Sequence, residues 1–442
     1  MGMDQGVPAV TASQLGEEMY QLVTELYPIC RSITGDGVRR TLELVGRHVP
    51  LETFEVPSGT QVFDWTVPKE WNIADAWVKD RRGERVIDFR ESNLHVVSYS
   101  TPVRRTVSLT ELGEHLYSLP EHPEWIPYRT SYYGEDWGFC LSEDRRSGLK
   151  DEHYEVCIDA SLESGHLTYA ECLVPGRSTE EFLVSCHVCH PSLANDNLSG
   201  IAVASFLARH LSRWDLRYSY RFLFIPGTIG SITWLAHNEA SAARIAHGLV
   251  VAGVGDPGPF TYKRSRQGSA AIDRAMCHVL EHSGRPHQVV DFSPYGYDER
   301  QFCSPGFDLP VGRFSRSPHG EYPEYHTSAD DLDLVRPEHL AESLLQLLAV
   351  VQVVEHNGTY ANTNPKCEPQ LGRRGLYKAV GGQADQESMQ LALLWVLNQS
   401  DGSRSLLDIA ERSGLSFEIV HRAAEALAEH GLLEETSPAS QR

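Results

Sequence analysis

The sequence has 442 residues, 41% of them hydrophobic and 22% charged, which is typical of a soluble globular protein with room for two or three domains. Acidic residues number 60 and basic residues 39, so the formal net charge is −21. A field of that sign repels phosphate, which argues against sequence-independent binding to nucleic acid or to an anionic membrane surface.

Three features of the sequence predict a cytoplasmic protein without a membrane partner. No apolar run reaches the roughly 18–20 residues needed to span a bilayer. The first ten residues lack the basic and apolar regions of a secretory signal. The nine cysteines, an odd number, indicate a reducing environment rather than a disulfide framework.

The N-terminal part of the chain is predicted to pass from helices to strands. Apolar residues at helical spacing predict helices over residues 13–27 and 38–48. Residues 51–175 are rich in Thr, Val, Tyr and Trp and contain turn signals, so we predict that they are largely β. Part of this stretch is expected to be a β-rich module inserted into the main domain.

From Glu180 to Glu355 the pattern alternates between apolar strands and amphipathic helices. Strands are predicted at 182–186, 220–225, 249–254, 289–292 and 309–314, and helices at 200–211, 231–239, 270–282 and 338–355. Such alternation predicts an α/β fold with a doubly wound, mostly parallel sheet. Ligands bind such sheets at the carboxyl ends of the strands.

The C-terminal part is predicted to be a winged-helix domain over residues 385–442, after a linker at 361–384. Its three short amphipathic helices are predicted near 387–398, 404–413 and 417–430. A third helix that entered a major groove should be basic. Residues 401–435 instead hold eight acidic and three basic side chains. We therefore expect protein contacts and no nucleic acid, and a DNA-linked regulator is the weakest alternative.

Four side chains that suit a metal ion follow successive predicted strands. His187 ends the first strand, Asp196 precedes the next helix, Asp256 ends the third strand, and His326 lies in the loop after the last one. Imidazole and carboxylate groups are zinc ligands, and a carboxylate can bridge two ions. A single one of them could be a structural polar residue, but the set of four predicts a metal site.

The segment Cys186–His190 also matches two cysteine motifs. It fits the C-x-x-C-H pattern of c-type haem attachment and contains a C-x-x-C redox pattern. Haem attachment belongs to exported proteins, and redox pairs usually open a helix, whereas this motif follows a strand. We therefore expect small buried thiols beside a ligand histidine.

Several long motifs give the sequence a resemblance to a known family. The run His-x-Cys-His-Pro-Ser-x-Ala-Asn-Asp-Asn-x-Ser-Gly spans residues 187–200, and further matches lie at 131–133, 137–140, 261–266, 298–306 and 324–330. They resemble a bacterial aminopeptidase-like family with the co-catalytic zinc exopeptidase fold of metallopeptidase clan MH. The resemblance implies a zinc aminopeptidase-like α/β domain at 1–50 and 176–360, an inserted β-rich module and a C-terminal winged helix.

The resemblance also implies a role for each candidate residue. Asp196 would bridge two metal positions, with His187 and Asp256 completing one of them and His326 binding the other. His190 would be a reserve ligand. Thr327, Asp330 and Asp331 would hold His326 in its orientation. Asp298, Glu299 and Arg300 would belong to the substrate pocket.

The sequence departs from the family at the end of the predicted strand 220–225. The family reads Pro-Glu-Thr-Ile-Gly-Ser where this chain has Gly227 and Thr228 after Pro226, and the wider fold has two glutamates there. Metal-assisted amide hydrolysis needs a carboxylate to move protons, and glycine cannot do so. Thr228 also removes a ligand from the second metal position, so one zinc ion is favoured over two.

Three explanations for Gly227 stay open. Another carboxylate, from Glu299, Glu321 or Glu324, supplies the proton transfer; the reaction is less demanding or uses groups of the substrate; or the chain is a pseudoenzyme. We predict a zinc-dependent aminopeptidase-like hydrolase that acts on the amide of a small peptide or aminoacylated metabolite. The alternative is a catalytically impaired protein of the same fold that binds metal or ligand. The acidic winged helix and the inserted module offer surfaces for a homo-oligomer.

Overall fold

The computed structural model describes residues 11–376 and 383–436, which form two compact units. The first unit takes in residues 11–268 and 288–345, and the second takes in the other described residues. Three segments lie outside the described residues: the first ten residues, residues 377–382 of the predicted linker, and residues 437–442 at the end of the predicted winged-helix domain. Among those described, no helix is long and apolar enough to cross a bilayer.

Up to residue 175 the chain forms helices at its start and then mostly strands. The elements are α1 (Ala12–Leu26), α2 (Asp36–Val45), β1 (Glu52–Pro57), β2 (Gln61–Val62), β3 (Trp65–Thr66), β4 (Glu70–Lys79), β5 (Arg85–Asp88), β6 (Val103–Ser108), α3 (Leu109–Glu114), β7 (Leu116–Tyr117), β8 (Phe139–Cys140), α4 (Glu143–Ser147), β9 (His153–Glu163) and β10 (His166–Val174). Helix α1 begins at a capping box between Thr11 and Gln14 and buries the apolar stripe that predicts it.

Between residues 176 and 356 strands and helices alternate, as the sequence predicts. The elements are β11 (Glu181–His187), α5 (Gly200–Leu211), β12 (Ser219–Ile225), α6 (Ile229–His237), α7 (Glu239–Ala242), β13 (Ile245–Val251), β14 (Phe260–Lys263), α8 (Ala271–His282), β15 (His287–Val290), α9 (Glu299–Phe302), β16 (Val311–Ser315) and α10 (Pro337–His356). The sequence analysis misses the short elements α7, β14 and α9.

The large sheet has eight strands in the order β1-β10-β12-β11-β13-β16-β14-β15. Its centre, β12, β11, β13 and β16, is parallel, whereas β1, β10 and β14 pair with their neighbours in antiparallel fashion. Every residue of β11 is buried, as expected of a parallel strand covered on both faces. The predicted parallel sheet is thus the centre of a larger mixed sheet.

A second sheet lies within residues 51–175, the stretch for which the sequence predicts a β-rich module. Its four antiparallel strands follow the order β5-β4-β9-β6. It has an apolar cluster of its own that includes Val78, Ile87, Val107 and Val156. Strands β1 and β10 come from the same stretch of sequence but belong to the large sheet.

The C-terminal residues form three helices and a small three-stranded sheet. The elements are β17 (Thr359–Asn362), α11 (Gln383–Gln399), β18 (Asp401–Ser405), α12 (Leu406–Ser413), α13 (Phe417–Glu429) and β19 (Leu433–Thr436). Strand β17 pairs with both β18 and β19, so the first residues of the predicted linker belong to the sheet. Helix α12 begins at a capping box between Ser405 and Asp408 and ends at Gly414, whose φ is 70°.

Candidate metal centre

The candidate site lies at the carboxyl end of the central strand β11. His187 is the last residue of that strand, and the following loop carries His190 and then Asp196, just before helix α5. Asp196 lies in the irregular segment Ala194–Ser199, where its φ of −109° and ψ of 80° are not helical, and its peptide bond to Asn197 is cis. Ligand sites of α/β sheets lie at this edge of the parallel strands.

Asp196 is the centre of the cluster, and three imidazoles surround it. Its Oδ1 lies 2.9 Å from Nε2 of His187, and its Oδ2 lies 3.0 Å from Nε2 of His326 and 3.9 Å from Nδ1 of His190. The ligand atoms of His187, His190 and Asp196 all lie within 4.8 Å of one another. The structure therefore brings together four residues that the sequence singles out, including the reserve ligand.

Burial and charge keep Asp196 and His190 in the forms that bind metal. Burial alone would raise the pKa of Asp196, but the neighbouring His190 and His187 hold it well below its ordinary value. Burial lowers the pKa of His190 well below its ordinary value, although Asp196 opposes the shift, so this imidazole is neutral near pH 7. Ionised carboxylates and neutral imidazoles are the forms that bind zinc.

An unpaired atom in the cluster also points to a metal ion. Nδ1 of His190 is buried and has no hydrogen-bond partner among the described residues. Buried polar atoms seldom stay unpaired, and coordination to a metal would satisfy this nitrogen. The residues present therefore fit a zinc ion held by His187, His190 and Asp196, with His326 as a further ligand.

Three tyrosine rings pack against the histidines of the cluster. Tyr297 stacks on His187 with the ring centroids 5.1 Å apart, and Tyr325 stacks on His326 at 3.9 Å. The ring of Tyr128 meets that of His326 nearly at a right angle, 4.9 Å away. These contacts restrict the planes of the two imidazoles.

Asp330 supports the cluster in a different way from the one that the resemblance implies. Its carboxylate accepts hydrogen bonds from the backbone N–H groups of Asn195 and Asp196, at 2.6 and 3.0 Å. Burial raises the pKa of Asp330 well above its ordinary value. The implied role is corrected, because Asp330 positions Asp196 and not His326.

Thr327 and Asp331 also close local turns instead of holding the imidazole of His326. The hydroxyl of Thr327 donates to the carbonyl of Glu324 at 2.8 Å. The carboxylate of Asp331 accepts from the N–H of Asp333 at 2.8 Å. The implied orientation of His326 by these residues is therefore corrected, since the contacts described for its ring are with Asp196 and with tyrosine and histidine rings.

Asp256 is not part of the cluster in the described structure. Its Oδ2 accepts a hydrogen bond from Nδ2 of Asn195 at 2.9 Å, while its Oδ1 accepts from the N–H of Gly258 at 2.7 Å and the hydroxyl of Ser317 at 2.6 Å. Both oxygens accept hydrogen bonds in the described structure, and the implied ligand role of Asp256 stays a prediction. Asp256 positions Asn195, the residue that precedes Asp196.

Strand β12 ends in a strained turn. Thr228 has φ 61° and ψ −72°, and the N–H of Ile229 donates to the carbonyl of Gly227 at 2.7 Å, which is the rare γ-turn with positive φ. Asp298 holds the turn, because its Oδ1 accepts from the N–H of Thr228 at 2.7 Å and from the hydroxyl of Ser231 at 2.9 Å. A positive φ is uncommon at a β-branched residue, and strained backbone conformations of this kind occur most often at functional sites.

The three glutamates considered for proton transfer have separate surroundings. Glu299 is fully buried and pairs with Nζ of Lys263 at 2.9 Å. Glu321 is exposed and Glu324 is half-buried. In the part of the chain that the structure describes, the side chains of these three residues make no hydrogen bond to the cluster.

The two cysteines of the C-x-x-C motif are buried and carry free thiols. Burial raises the pKa of Cys189 to about 12 and raises that of Cys186 as well. Redox-active cysteines need an accessible thiolate. These surroundings agree with the expectation of small buried thiols beside a ligand histidine.

Two residues that the sequence analysis does not single out complete the site. Oδ1 of Asn195 accepts a hydrogen bond from the N–H of Gly255 at 2.9 Å, and Nδ2 of Asn195 donates one to Asp256. The buried guanidinium of Arg31 donates from Nε to the carbonyl of His190 at 2.9 Å. Asn195 lies inside the longest motif, which is a usable signal, whereas nothing in the sequence near Arg31 points to a loop 159 residues away.

Comparison with known proteins identifies relatives of the whole chain. A sequence model of the family described as a domain of unknown function (DUF4910) matches residues 20–357, and one described as a winged helix-turn-helix matches residues 358–435. A Clostridium acetobutylicum protein, provisionally named a polysaccharide biosynthesis protein with an aminopeptidase-like domain, is 53% identical over 416 residues. That match covers 94% of this chain and 96% of the relative.

Solved structures agree with this comparison. A Clostridium acetobutylicum protein, provisionally described as a peptidase, superposes with a TM-score of 0.92 at 51% identity, covering 96% of this chain and 97% of that one. A zinc aminopeptidase from Bacillus subtilis superposes with a TM-score of 0.58 at 14% identity, covering 79% and 96%. The second likeness is one of fold. The predicted aminopeptidase-like fold and the winged helix are confirmed.

Proposed function

The chain belongs to the family of the domain of unknown function DUF4910, and we propose that it is a zinc-dependent aminopeptidase-like hydrolase. Its substrate would be the amide bond of a small peptide or of an aminoacylated metabolite, and its compartment the cytoplasm. The fold that it shares with the zinc aminopeptidase of Bacillus subtilis supports this class of reaction. The free thiols among its cysteines support a reducing compartment.

The observation that carries the proposal is the buried carboxylate of Asp196 among three imidazoles. His187, His190 and Asp196 would hold the zinc ion, with His326 as a further ligand. When bound there, zinc supplies Lewis-acid polarisation of the amide carbonyl. One ion is favoured over two, because Thr228 offers no carboxylate to a second metal position.

The residues around the ligands keep the site in shape for this chemistry. Asp330 fixes the backbone of Asp196, and Asp256 fixes the side chain of Asn195. Tyr297 places its hydroxyl 3.3 Å from Oδ1 of Asp196 and covers the ring of His187. A site fixed in this way holds a substrate carbonyl in a reproducible place, which is a large part of enzymatic rate enhancement.

A second candidate function is a pseudoenzyme that binds metal or ligand without turnover. The observation in its favour is the turn after β12, where Gly227 and Thr228 offer no carboxylate. Of the glutamates considered as substitutes, Glu299 is paired with Lys263 and Glu321 is exposed. General acid–base help is worth about 10²–10⁴ in rate, so its loss alone would leave a slow enzyme.

Zinc removal and restoration separates the two candidates. The protein is stripped with a chelator, reloaded with zinc, and assayed against a panel of aminoacyl p-nitroanilides and dipeptides. The hydrolase proposal predicts turnover that disappears with the metal, returns with zinc, and falls at least about 100-fold in Asp196→Asn, because losing a ligand costs more than losing a residue behind one. The exposed Asp291→Asn is the matched control. Full zinc loading without turnover on any substrate would favour the pseudoenzyme.

A further inference from the structure

The turn after β12 has room for a Cβ atom at Gly227, beside His187. A Cβ atom added at Gly227 would lie 3.5 Å from Sγ of Cys189 and 3.7 Å from Cβ of His187, and no other heavy atom outside the neighbouring residues lies within 4 Å. These are ordinary contact distances. The position therefore has room for atoms that glycine does not supply, and the space borders a residue of the metal cluster.

A guanidinium with one unpaired nitrogen lies at the same turn. Nη2 of Arg300, on helix α9, lies 3.5 Å from Oγ1 of Thr228. Nε of Arg300 is buried and has no hydrogen-bond partner among the described residues. A buried donor that stays unpaired costs free energy of about 1–3 kcal/mol, which indicates that a partner is missing.

The acidic side chains closest in sequence to Arg300 are engaged with other groups. Asp298 accepts from the N–H of Thr228 and the hydroxyl of Ser231. Glu299 is paired with Lys263. Within the described residues, the ion pairs found do not include Arg300. Its guanidinium therefore has no carboxylate partner among these residues, although Oε2 of Glu299 is also buried without a hydrogen-bond partner.

We propose that Gly227 and Arg300 together select substrates with a carboxylate on the residue whose amide is cleaved. This inference rests on the proposed hydrolase and names its substrate class, aspartyl or glutamyl amides. The substrate carboxylate enters the space beside Gly227 and accepts hydrogen bonds from the guanidinium of Arg300. Planar guanidinium and carboxylate groups pair well in this manner.

The pairing explains why glycine suits position 227 in this chain. A glutamate there would fill the space and place its own negative charge beside the turn. It would then both block and repel a substrate carboxylate. Gly227 keeps the space open, and Arg300 gives it the complementary charge.

The test compares substrates that differ only in charge. L-Glutamyl-p-nitroanilide carries a side-chain carboxylate, and L-glutaminyl-p-nitroanilide carries the uncharged amide of the same shape. For the zinc-loaded protein we expect kcat/KM to favour the glutamyl substrate by about 10- to 100-fold, the range for a hydrogen bond to a charged group. The ratio should fall to near one in Arg300→Gln, recover in part in Arg300→Lys, and fall to one or below in Gly227→Glu.

Matched controls separate this effect from general damage. Arg82→Gln removes an exposed arginine, and Gly113→Glu adds a glutamate at a glycine with open space around it. Both should keep the preference. Zinc content and thermal unfolding of each variant show whether it is folded. A wild-type ratio near one, or an unchanged ratio in Arg300→Gln, would overturn the proposal.

A binding measurement keeps the inference testable if no amide is hydrolysed. Calorimetric titration of the zinc-loaded protein with L-glutamate and with L-glutamine compares the same two side chains. Tighter binding of glutamate, lost in Arg300→Gln and Gly227→Glu, would support the carboxylate site even if the hydrolase proposal failed. Equal binding of the two amino acids, or none, together with no preference in turnover, would contradict it.

Discussion

Arg31 supports the histidine loop from behind, through a guanidinium that is fully buried. Its Nε donates to the carbonyl of His190, and its Nη1 donates to the carbonyl of Leu26 at 2.8 Å. Burial lowers the pKa of Arg31 to about 10, so the group is still charged at neutral pH. The loop that carries His190, a proposed metal ligand, is thus tied to the end of helix α1.

Replacing this side chain tests its contribution to stability. Arg31→Met should lower the free energy of unfolding by about 2 kcal/mol, because the carbonyls of His190 and Leu26 lose their donor. Urea unfolding measures the change. The control is Arg40→Met, which removes an exposed arginine paired with Glu43 and should change stability by less than about 0.5 kcal/mol. Equal stability of the two variants would contradict the role given to Arg31.

At the residue scale, the sequence predicts ligands better than the residues that hold them. His187, His190, Asp196 and His326 lie in motifs at strand ends, and the structure groups them. Asp256 follows a strand in the same way, but its carboxylate accepts hydrogen bonds from Gly258 in its own loop and from Ser317 after another strand. Such local hydrogen bonding depends on backbone positions that spacing does not reveal.

At the scale of elements, the pattern of apolar residues predicts the parallel centre of the sheet and most of its helices. It does not predict which strands of residues 51–175 join the large sheet. Strand β1 does so by pairing with β10, and β10 by pairing with β12, which lies about 50 residues further along the chain. Short elements such as β14 and α9 carry too few residues for a period to be read.

Helices α8 and α13, both in the second compact unit, are joined through a buried histidine. Nε2 of His278 accepts the N–H of Phe417 at 2.9 Å. Burial, with a smaller effect from the charge of His282, lowers the pKa of His278 from 6.5 to about 4. A protonated imidazole cannot accept this hydrogen bond, so the contact depends on pH.

The expected pH dependence follows from the direction of that shift. The folded state binds fewer protons than the unfolded state, so the stabilisation is present above pH 6.5 and is lost as the pH falls toward 4. The total loss would be about 3 kcal/mol. His278→Gln keeps an acceptor that does not titrate, so its unfolding free energy should fall less over this range. The exposed His287→Gln should behave as wild type. A wild-type slope in His278→Gln would count against this account.

At the scale of the whole molecule, the acidic charge of the winged helix argues against binding of nucleic acid. The exposed face of α13 carries Glu418, Glu425 and Glu429 against Arg422, and the net charge of the chain is −21. Both features repel phosphate. We therefore interpret this domain as a surface for protein contacts.

An electrophoretic shift assay with random duplex at low salt checks this interpretation. The wild-type protein should give no shift, because the face that would enter a groove is acidic. A variant with Glu418, Glu425 and Glu429 all changed to lysine should shift the duplex, since the shape of the domain is kept and the charge is reversed. Robust binding by the wild type would show that the charge argument fails.

The central claim of this account is a metal centre built around Asp196. The most direct test is the zinc content per chain, measured by mass spectrometry on protein purified without chelator. We predict about one zinc ion per chain in the wild type, and a loss of that ion in Asp196→Asn and His326→Ala, with Asp291→Asn unaffected. A wild-type chain that holds no zinc, even after incubation with the metal, would contradict the claim.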